Sequence, residues 1–158
     1  MDLPAHQFLD NLGIRYRRLE FSGETDKGAA NVAQVLGFEE GQMVKTLVFR
    51  TGLGELALVM VGGDRHVISG QLKRALGSRN ISLAQPDSVL EATGYAIGSI
   101  PPFHWQPPGF RSLLDSALTE YPELGVGAGV WGNEIIITPN DLISASGAEV
   151  FNLTRRES

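Results

Sequence analysis

The sequence contains no cysteine. A disulfide framework, a thiolate nucleophile and a zinc–thiolate centre are therefore excluded. Apolar runs of the roughly 20 residues that a membrane-spanning helix needs are also absent, and the chain does not begin with a signal-peptide pattern. We interpret the chain as a cytoplasmic protein with no membrane partner.

Positive charge is scarce, since 13 lysines and arginines stand against 18 acidic residues and give a net charge of -5. Non-specific nucleic-acid binding grows with the number of phosphates that a protein neutralises, so this balance excludes a general nucleic-acid coat and leaves room only for a local basic patch. His6, His66 and His104 are scattered and match no ligand spacing. We therefore expect no metal and no cofactor.

The length and composition are those of one globular domain, which we predict to cover residues 1–158. The chain has 158 residues, 42% of them hydrophobic and 20% charged, so it can form a sizeable core. Five helix-like stretches end in glycine, and strand-like sequence follows several of them. This alternation predicts a mixed α/β (α+β) fold with a mixed, largely antiparallel central sheet and peripheral helices. The five glycines are Gly13, Gly37, Gly77, Gly94 and Gly147.

Periodicity and turn residues place the elements along the chain. Residues 43–49 and 55–61 are predicted to form an antiparallel hairpin through a glycine turn, and residues 94–110, rich in proline and glycine, a loop. Ser69 and Thr138 are candidate helix caps. Helices are predicted over 4–12, 29–36, 70–76, 86–93 and from 139 onward. Further strands are predicted over 14–21, 81–84, 110–114, 124–128, 134–138 and 149–153.

A single cation interrupts the apolar strand at 43–49. Lys45 alternates with Leu47 and Phe49, so these side chains share one face of an extended strand, and both faces look buried. A lysine there is costly unless its ammonium reaches water, a partner or an anionic ligand. Two interpretations stay open: a lysine whose head extends into solvent, and a binding-site cation at a pocket floor.

Two glycine-containing loops could form the walls of such a pocket. Residues 127–132 fit the spacing G-x-G-x-x-G, but a strand follows them where a dinucleotide site needs a helix. They are either a hairpin connection or a backbone wall that a ligand approaches closely. Residues 98–103 form a stiff loop, either a plain connector or a rim whose N–H groups, such as those of Ser99 and Ile100, point at a carbonyl.

The sequence reveals no nucleophile–base pair. It contains no Gly-x-Ser-x-Gly motif. Asp64, in a turn, and Glu134, at a strand start, are typical of surface carboxylates. Trp105 and Trp131 lie in loops and could be pocket walls, although packing in a core or rim is the usual role of tryptophan.

Several short motifs occur in one order across residues 9–153, and together they resemble the YbaK/EbsC family, which is related to the editing domain of bacterial prolyl-tRNA synthetases. Each motif alone is weak, and the lysine strand followed at this separation by Gly-x-x-x-Pro is fairly specific. The motifs are Val44-Lys45-Thr46-Leu47, Gly62-Gly63-Asp64-Arg65, Thr93-Gly94-Tyr95, Gly98-Ser99-Ile100-Pro101-Pro102, Gly129-Val130-Trp131-Gly132 and Asp141-Leu142.

This resemblance implies a free-standing aminoacyl-tRNA deacylase that needs no metal and acts on the 3′ end of a mischarged tRNA, with an aminoacyl-tRNA synthetase as a candidate partner. It implies that Lys45 helps to hold the terminal nucleotide and that the loop at Gly98, Ser99 and Ile100 shapes the aminoacyl pocket and donates backbone hydrogen bonds. The remaining substrate-binding positions that it implies are Thr46, Asp64, Arg65, Pro101, Pro102, Gly127, Ala128, Gly129 and Glu134.

The same resemblance bears on specificity. Some alanine-clearing relatives carry asparagine after the lysine, where this chain has Thr46, which favours a cysteinyl-type or another specificity. An activated ester needs only a positioned water and a stabilised oxyanion, so the absence of a triad agrees with this chemistry. The alternative is a non-catalytic module that binds a nucleotide, an aminoacyl-adenosine or a synthetase.

Overall fold

The computed structural model describes residues 1–156, which form five helices, two 3-10 turns and ten strands. The helices are α1 (Pro4–Asn11), α2 (Ala29–Leu36), α3 (Ser69–Leu76), α4 (Pro86–Thr93) and α5 (Pro139–Ser146). The 3-10 turns are Glu40–Gln42 and Ser116–Glu120. The strands are β1 (Arg17–Glu20), β2 (Val44–Thr51), β3 (Leu56–Gly62), β4 (Arg65–Val67), β5 (Ile81–Leu83), β6 (Arg111–Asp115), β7 (Leu124–Gly127), β8 (Asn133–Ile137), β9 (Glu149–Phe151) and β10 (Thr154–Arg156).

The central sheet has five strands in the order β5-β2-β3-β6-β9. The predicted hairpin is confirmed, because β2 pairs antiparallel with β3 and Lys45 lies opposite Val61. β5 adds antiparallel to β2, whereas β6 and β9 add in parallel. The predicted fold class, a mixed and mostly antiparallel sheet with peripheral helices, is therefore confirmed.

A second sheet, β1-β8-β7, joins the central sheet at the start of β2. Its pairs are antiparallel, and Glu134 on β8 lies opposite Leu19 on one side and Gly127 on the other. The junction is a parallel bridge between Met43 and Gly125. A third pair, β10 with β4, was not predicted, because three residues are too few to show a period.

Two cores lie on opposite faces of the central sheet, as side-chain alternation requires. Met60 and Leu114 point towards the second sheet and α1, where they pack with Leu9 and Ile135. Their neighbours along the strands, Val59 and Leu113 among them, point the other way and pack on Leu72 of α3. The helices therefore lie outside the sheets, as predicted.

The helix ends follow their predicted chemistry with two exceptions, the C-cap of α1, which is Leu12 instead of Gly13, and the N-cap of α3. Four helices end in a glycine in the left-handed conformation, which costs other residues free energy. The hydroxyl of Thr138 caps α5 by accepting a hydrogen bond from the Asp141 N–H at 3.3 Å. The prediction that Ser69 caps α3 is wrong, because Ser69 is its first helical residue and Ile68 occupies the cap position.

The turn between β3 and β4 is packed more tightly than a side chain permits. A Cβ at Gly63 would lie 2.4 Å from the Cβ of Ala29, 2.6 Å from the carbonyl oxygen of Glu40 and 3.0 Å from that of Met43. The start of α2 and the approach to β2 therefore depend on glycine at this position.

We expect Gly63→Ala to lower the free energy of unfolding by about 1–3 kcal/mol, the usual cost of overpacking, because two of the colliding atoms belong to the backbone. The matched control is Gly23→Ala, since Gly23 has no atom within 4 Å of a built Cβ and no left-handed backbone. Urea unfolding measures both. Equal midpoints for the two variants would contradict the packing argument.

Candidate active site

A cleft of about 230 Å³ opens where the start of β2 meets the second sheet. Its walls come from the start of α2, from β2, from the loop after α4 and from the hairpin of β7 and β8. The lining residues are Lys27, Gly28, Ala29, Val32, Met43, Val44, Lys45, Thr46, Leu47, Ile97, Gly98, Gly127, Trp131 and Glu134.

Lys45 lies in the wall of this cleft, and its side chain is partly buried. Its Nζ donates a hydrogen bond of 2.9 Å to the carbonyl oxygen of Arg65, the first residue of β4. An ammonium has three donors, so two remain for a ligand. The expectation that both faces of β2 are buried holds for Val48 and Phe49, whereas residues 44–47 are only half-buried, because they line the cleft.

The loop at 98–102 meets the cleft through Gly98, whose φ of 94° lies in the left-handed region. Within residues 1–156 the Gly98 N–H makes no hydrogen bond. The expectation of a free Ser99 N–H is wrong, because that group donates to the Ala96 carbonyl oxygen at 3.2 Å. Ile100 is buried, and its carbonyl oxygen accepts a hydrogen bond of 3.3 Å from Thr46 Oγ1.

The two prolines of the loop anchor it on the side away from the cleft. The Pro101 carbonyl oxygen accepts a hydrogen bond of 2.6 Å from Trp105 Nε1, and that of Pro102 accepts one of 2.8 Å from Gln106 Nε2. Neither proline lines the cleft. Trp105 therefore packs behind the loop, against Phe110, and is not a cleft wall.

The glycine segment at 127–129 contributes only its first residue to the cleft. Gly127 lies close to the backbone of Ser99, because a Cβ built on it would be 3.3 Å from the Ser99 carbonyl group. Ala128 is buried in the core, and Gly129 faces the ring of Tyr95. The hairpin interpretation of this segment is confirmed, since β8 follows it.

Glu134 lies against the apolar wall of the cleft and is only 8% exposed. Space for its carboxyl group comes from the glycines of β7, since a Cβ at Gly125 would lie 3.0 Å from Oε2. Within the described residues the carboxyl group has neither a hydrogen bond nor an ion pair. Burial raises its pKa to about 8, so at pH 7 it is mostly a neutral acid that can donate and accept. The expectation of a surface carboxylate is wrong.

Asp64 and Arg65 lie behind Lys45 and do not line the cleft. The carbonyl oxygen of Arg65 accepts the hydrogen bond from Lys45 Nζ. Asp64 Oδ1 is buried without a hydrogen-bond partner among residues 1–156, close to Gly41 and Gly62. The structure thus brings Lys45, Thr46, Gly98, Gly127 and Glu134 together and leaves the other predicted positions in supporting places.

The sequence did not single out the α2 side of the cleft. Lys27, exposed, and Gly28 precede the helix in a polar loop whose composition carries no functional signal. Trp131 stands opposite on the β7–β8 loop, as one of its two sequence-based interpretations suggested. Among residues 1–156 no three His, Asp or Glu side chains gather closely enough to hold a metal ion, and no helix in that range could cross a membrane.

Residues 24–145 match the sequence profile of the aminoacyl-tRNA editing domain, and this span exceeds half of the chain. The chain belongs to the aminoacyl-tRNA editing domain family. All the residues that line the cleft fall inside the matched span.

Relatives of this editing domain cover most of the chain. The multifunctional Ser/Thr-tRNA deacylase ProXp-y of Escherichia coli is 30% identical over 128 residues, which are 78% of this chain and 76% of that protein. EbsC of Enterococcus faecalis, named as a candidate Cys-tRNA(Pro)/Cys-tRNA(Cys) deacylase, is 24% identical over 97% of this chain and 93% of its own. A crystal structure of a candidate trans-editing enzyme for prolyl-tRNA synthetase covers 100% of both chains with a TM-score of 0.84 and 31% identity.

The electrostatics of the cleft differ from those of the whole chain. Its ionisable lining residues are Lys27, Lys45 and Glu134, and the raised pKa of Glu134 keeps this acid mostly neutral at pH 7. The cleft is therefore locally positive on a protein with a net charge of -5. This is the local basic patch for which the composition leaves room.

The raised pKa of Glu134 makes the stability of the domain depend on pH. Between pH 4.5, the ordinary value, and about 8 the folded state keeps a proton that the unfolded state releases, so the free energy of unfolding falls as the pH rises through this window. We expect the stability gain of Glu134→Gln over the wild type to grow from pH 5 to 8 and then to level off. Thermal unfolding from pH 5 to 9 measures it.

The control for this experiment is Glu24→Gln, in an exposed loop, whose difference from the wild type should be independent of pH over the same range. A difference for Glu134→Gln that is also constant with pH would show that this carboxyl group is ionised in the folded protein at neutral pH.

Proposed function

We propose that this protein is a trans-acting aminoacyl-tRNA deacylase and that the cleft at Lys45 is its active site. The observation that carries the proposal is a partly buried ammonium in a cleft of an editing domain that is also lined by Gly98, whose backbone N–H has no hydrogen bond within the described residues. In this reaction water adds to the ester carbonyl carbon, the bond to the ribose oxygen breaks, that oxygen receives a proton, and the amino acid leaves as a carboxylate.

The side chains of the cleft supply positioning and electrostatic stabilisation, which suffice for an ester that is already activated. Lys45 holds the phosphate or ribose of the terminal nucleotide with the donors that Arg65 leaves free. The Gly98 N–H donates to the oxyanion that forms at the carbonyl. A ribose hydroxyl of the substrate can assist the attacking water, so no base from the protein is required.

Thr46 and Glu134 act around this centre. Thr46 fixes the loop by its hydrogen bond to Ile100, so that Gly98 keeps its place relative to β2. Glu134, as a neutral acid, can donate to or accept from a polar group of the aminoacyl moiety, a contact that needs no cation. Ser99 and Ile100 contribute the shape of the loop, and their side chains do not touch the substrate.

The substrate that we propose is tRNA(Pro) carrying a small wrong amino acid such as cysteine or alanine. The E. coli relative is named a Ser/Thr-tRNA deacylase, so serine and threonine are also candidate amino acids, and the name of EbsC supports cysteine. We further propose that a synthetase assists binding, because the acidic chain offers few cations to the body of a tRNA, and that the protein works in the cytoplasm.

A panel of mischarged tRNAs tests the activity. We expect hydrolysis of at least one among Cys-, Ala-, Ser- and Thr-tRNA(Pro), measured as loss of labelled amino acid from the tRNA, and no hydrolysis of Pro-tRNA(Pro). Decay at the buffer rate for every member, with and without prolyl-tRNA synthetase, would refute the activity. Tight binding of an aminoacyl-adenosine analogue in that case would identify a non-catalytic module.

Lys45→Met tests the site. It keeps an unbranched side chain as far as Cε and removes the ammonium group, and we expect a loss of about 10- to 100-fold in kcat/KM, as for one charged hydrogen bond. The matched control is Lys73→Met on α3, outside the cleft, which should retain the wild-type rate. Circular dichroism checks that both variants fold. Equal rates for Lys45→Met and the wild type would remove Lys45 from the site.

A further inference from the structure

The rim of the cleft carries an aromatic ring that is held in place on three sides. Trp131 Nε1 donates a hydrogen bond of 3.1 Å to the Thr25 carbonyl oxygen, and the ring meets Phe21 edge to face with centroids 4.9 Å apart. The Nζ of Lys27 lies 4.0 Å from the centroid of the Trp131 ring. The hydrogen bond and the packing fix the orientation of the indole, so its face is presented in one direction.

The cation on that face is easy to displace. Lys27 is exposed, and among residues 1–156 its ammonium has no partner other than the indole ring. A cation–π contact at an exposed site is weak, and a flexible lysine can turn away at little cost. Both residues line the same cleft as Lys45, so one ligand in the cleft can contact the indole as well as Lys45.

We propose that the covered face of Trp131 is the stacking platform for the terminal adenine of the tRNA and that Lys27, displaced by the base, moves to a phosphate of the same strand end. The assignment rests on the proposed function. Aromatic faces with neighbouring cations are the usual means of holding single-stranded nucleotides, and stacking tolerates any base. The platform thus supplies affinity for the end of the tRNA, whereas the aminoacyl group is selected deeper in the cleft.

Fluorescence tests the platform without requiring turnover. In Trp105→Phe protein Trp131 is the remaining tryptophan, and AMP, adenosine and the trinucleotide CCA should each quench its emission, whereas ribose 5-phosphate should not. No change in emission with millimolar AMP and with CCA overturns the proposal. Quenching together with an inactive wild-type enzyme would leave the platform standing and refute the deacylase activity, so the two failures are distinguishable.

Two sets of variants test the stacking contact of Trp131 and the phosphate contact of Lys27 separately, with ligand affinities measured by titration calorimetry. Trp131→Leu should weaken AMP binding at least about fivefold, the lower end of the effect of losing one stacked base, and Trp131→Phe should lose less. Lys27→Met should weaken binding of AMP, which carries the phosphate, and should not weaken that of adenosine, which no longer has to displace the lysine from the indole. With mischarged tRNA, Trp131→Leu should raise KM and leave kcat near the wild-type value.

Equal AMP affinities for the wild type and Trp131→Leu would show that the Lys27–Trp131 pair only fixes the loop before α2. If Trp131→Leu fails to fold, the emission of Trp131 in the Trp105→Phe protein and the comparison of AMP with adenosine for Lys27→Met decide the question. Equal losses for both ligands in Lys27→Met would contradict the movement of Lys27 to a phosphate.

Discussion

The close approach of β2 to β7 is the constraint on which the cleft depends. The backbones of Met43 and Gly125 meet in a parallel bridge, and a Cβ at Gly125 would lie 2.5 Å from Met43 Cε and 2.9 Å from its Sδ. Glycine at this position leaves room for the Met43 side chain and the Glu134 carboxyl group where the central sheet and the second sheet join. Because of this junction, Lys45 at the start of β2 and Glu134 on β8 line one cleft, although they are far apart in the sequence.

Burial gives the charges of the cleft their chemical character. Two lysines stand among apolar walls, and Glu134, which has no ion pair within the described part of the chain, is kept mostly neutral by desolvation. A neutral acid leaves the lysines free to attract a phosphate, whereas an ionised one would compete for them. Ester hydrolysis in such a site depends on position and on preorganised donors, which agrees with the absence of a nucleophile–base pair from the sequence.

Parts of the fold distant from the cleft hold its walls in place. Asp115 is buried and accepts hydrogen bonds from the Leu153 N–H at 2.8 Å and from Thr154 Oγ1 at 2.5 Å. These contacts fix the start of β10, which pairs with β4, whose first carbonyl oxygen binds Lys45. On the other wall, the carbonyl oxygens of Pro101 and Pro102 accept hydrogen bonds from Trp105 and Gln106, which hold the loop that carries Gly98. Hydrogen bonds therefore tie the walls that carry Lys45 and Gly98 to the rest of the fold, which suits catalysis by positioning.

The sequence by itself determined the elements with a strong local signal. Alternation gave the hairpin of β2 and β3, terminal glycines gave four helix ends, and the ordered motifs gave the family and placed Lys45, Gly98 and Glu134 among the site residues. Only the tertiary structure decided which of those residues meet, because a motif carries no information on contacts between distant segments. In the structure the Ser99 N–H is not free, because it donates a hydrogen bond within a turn, and Ala128 lies in the core. The tertiary structure also brought Lys27 and Trp131 to the rim and made Glu134 a neutral acid, since burial is a property of the whole fold.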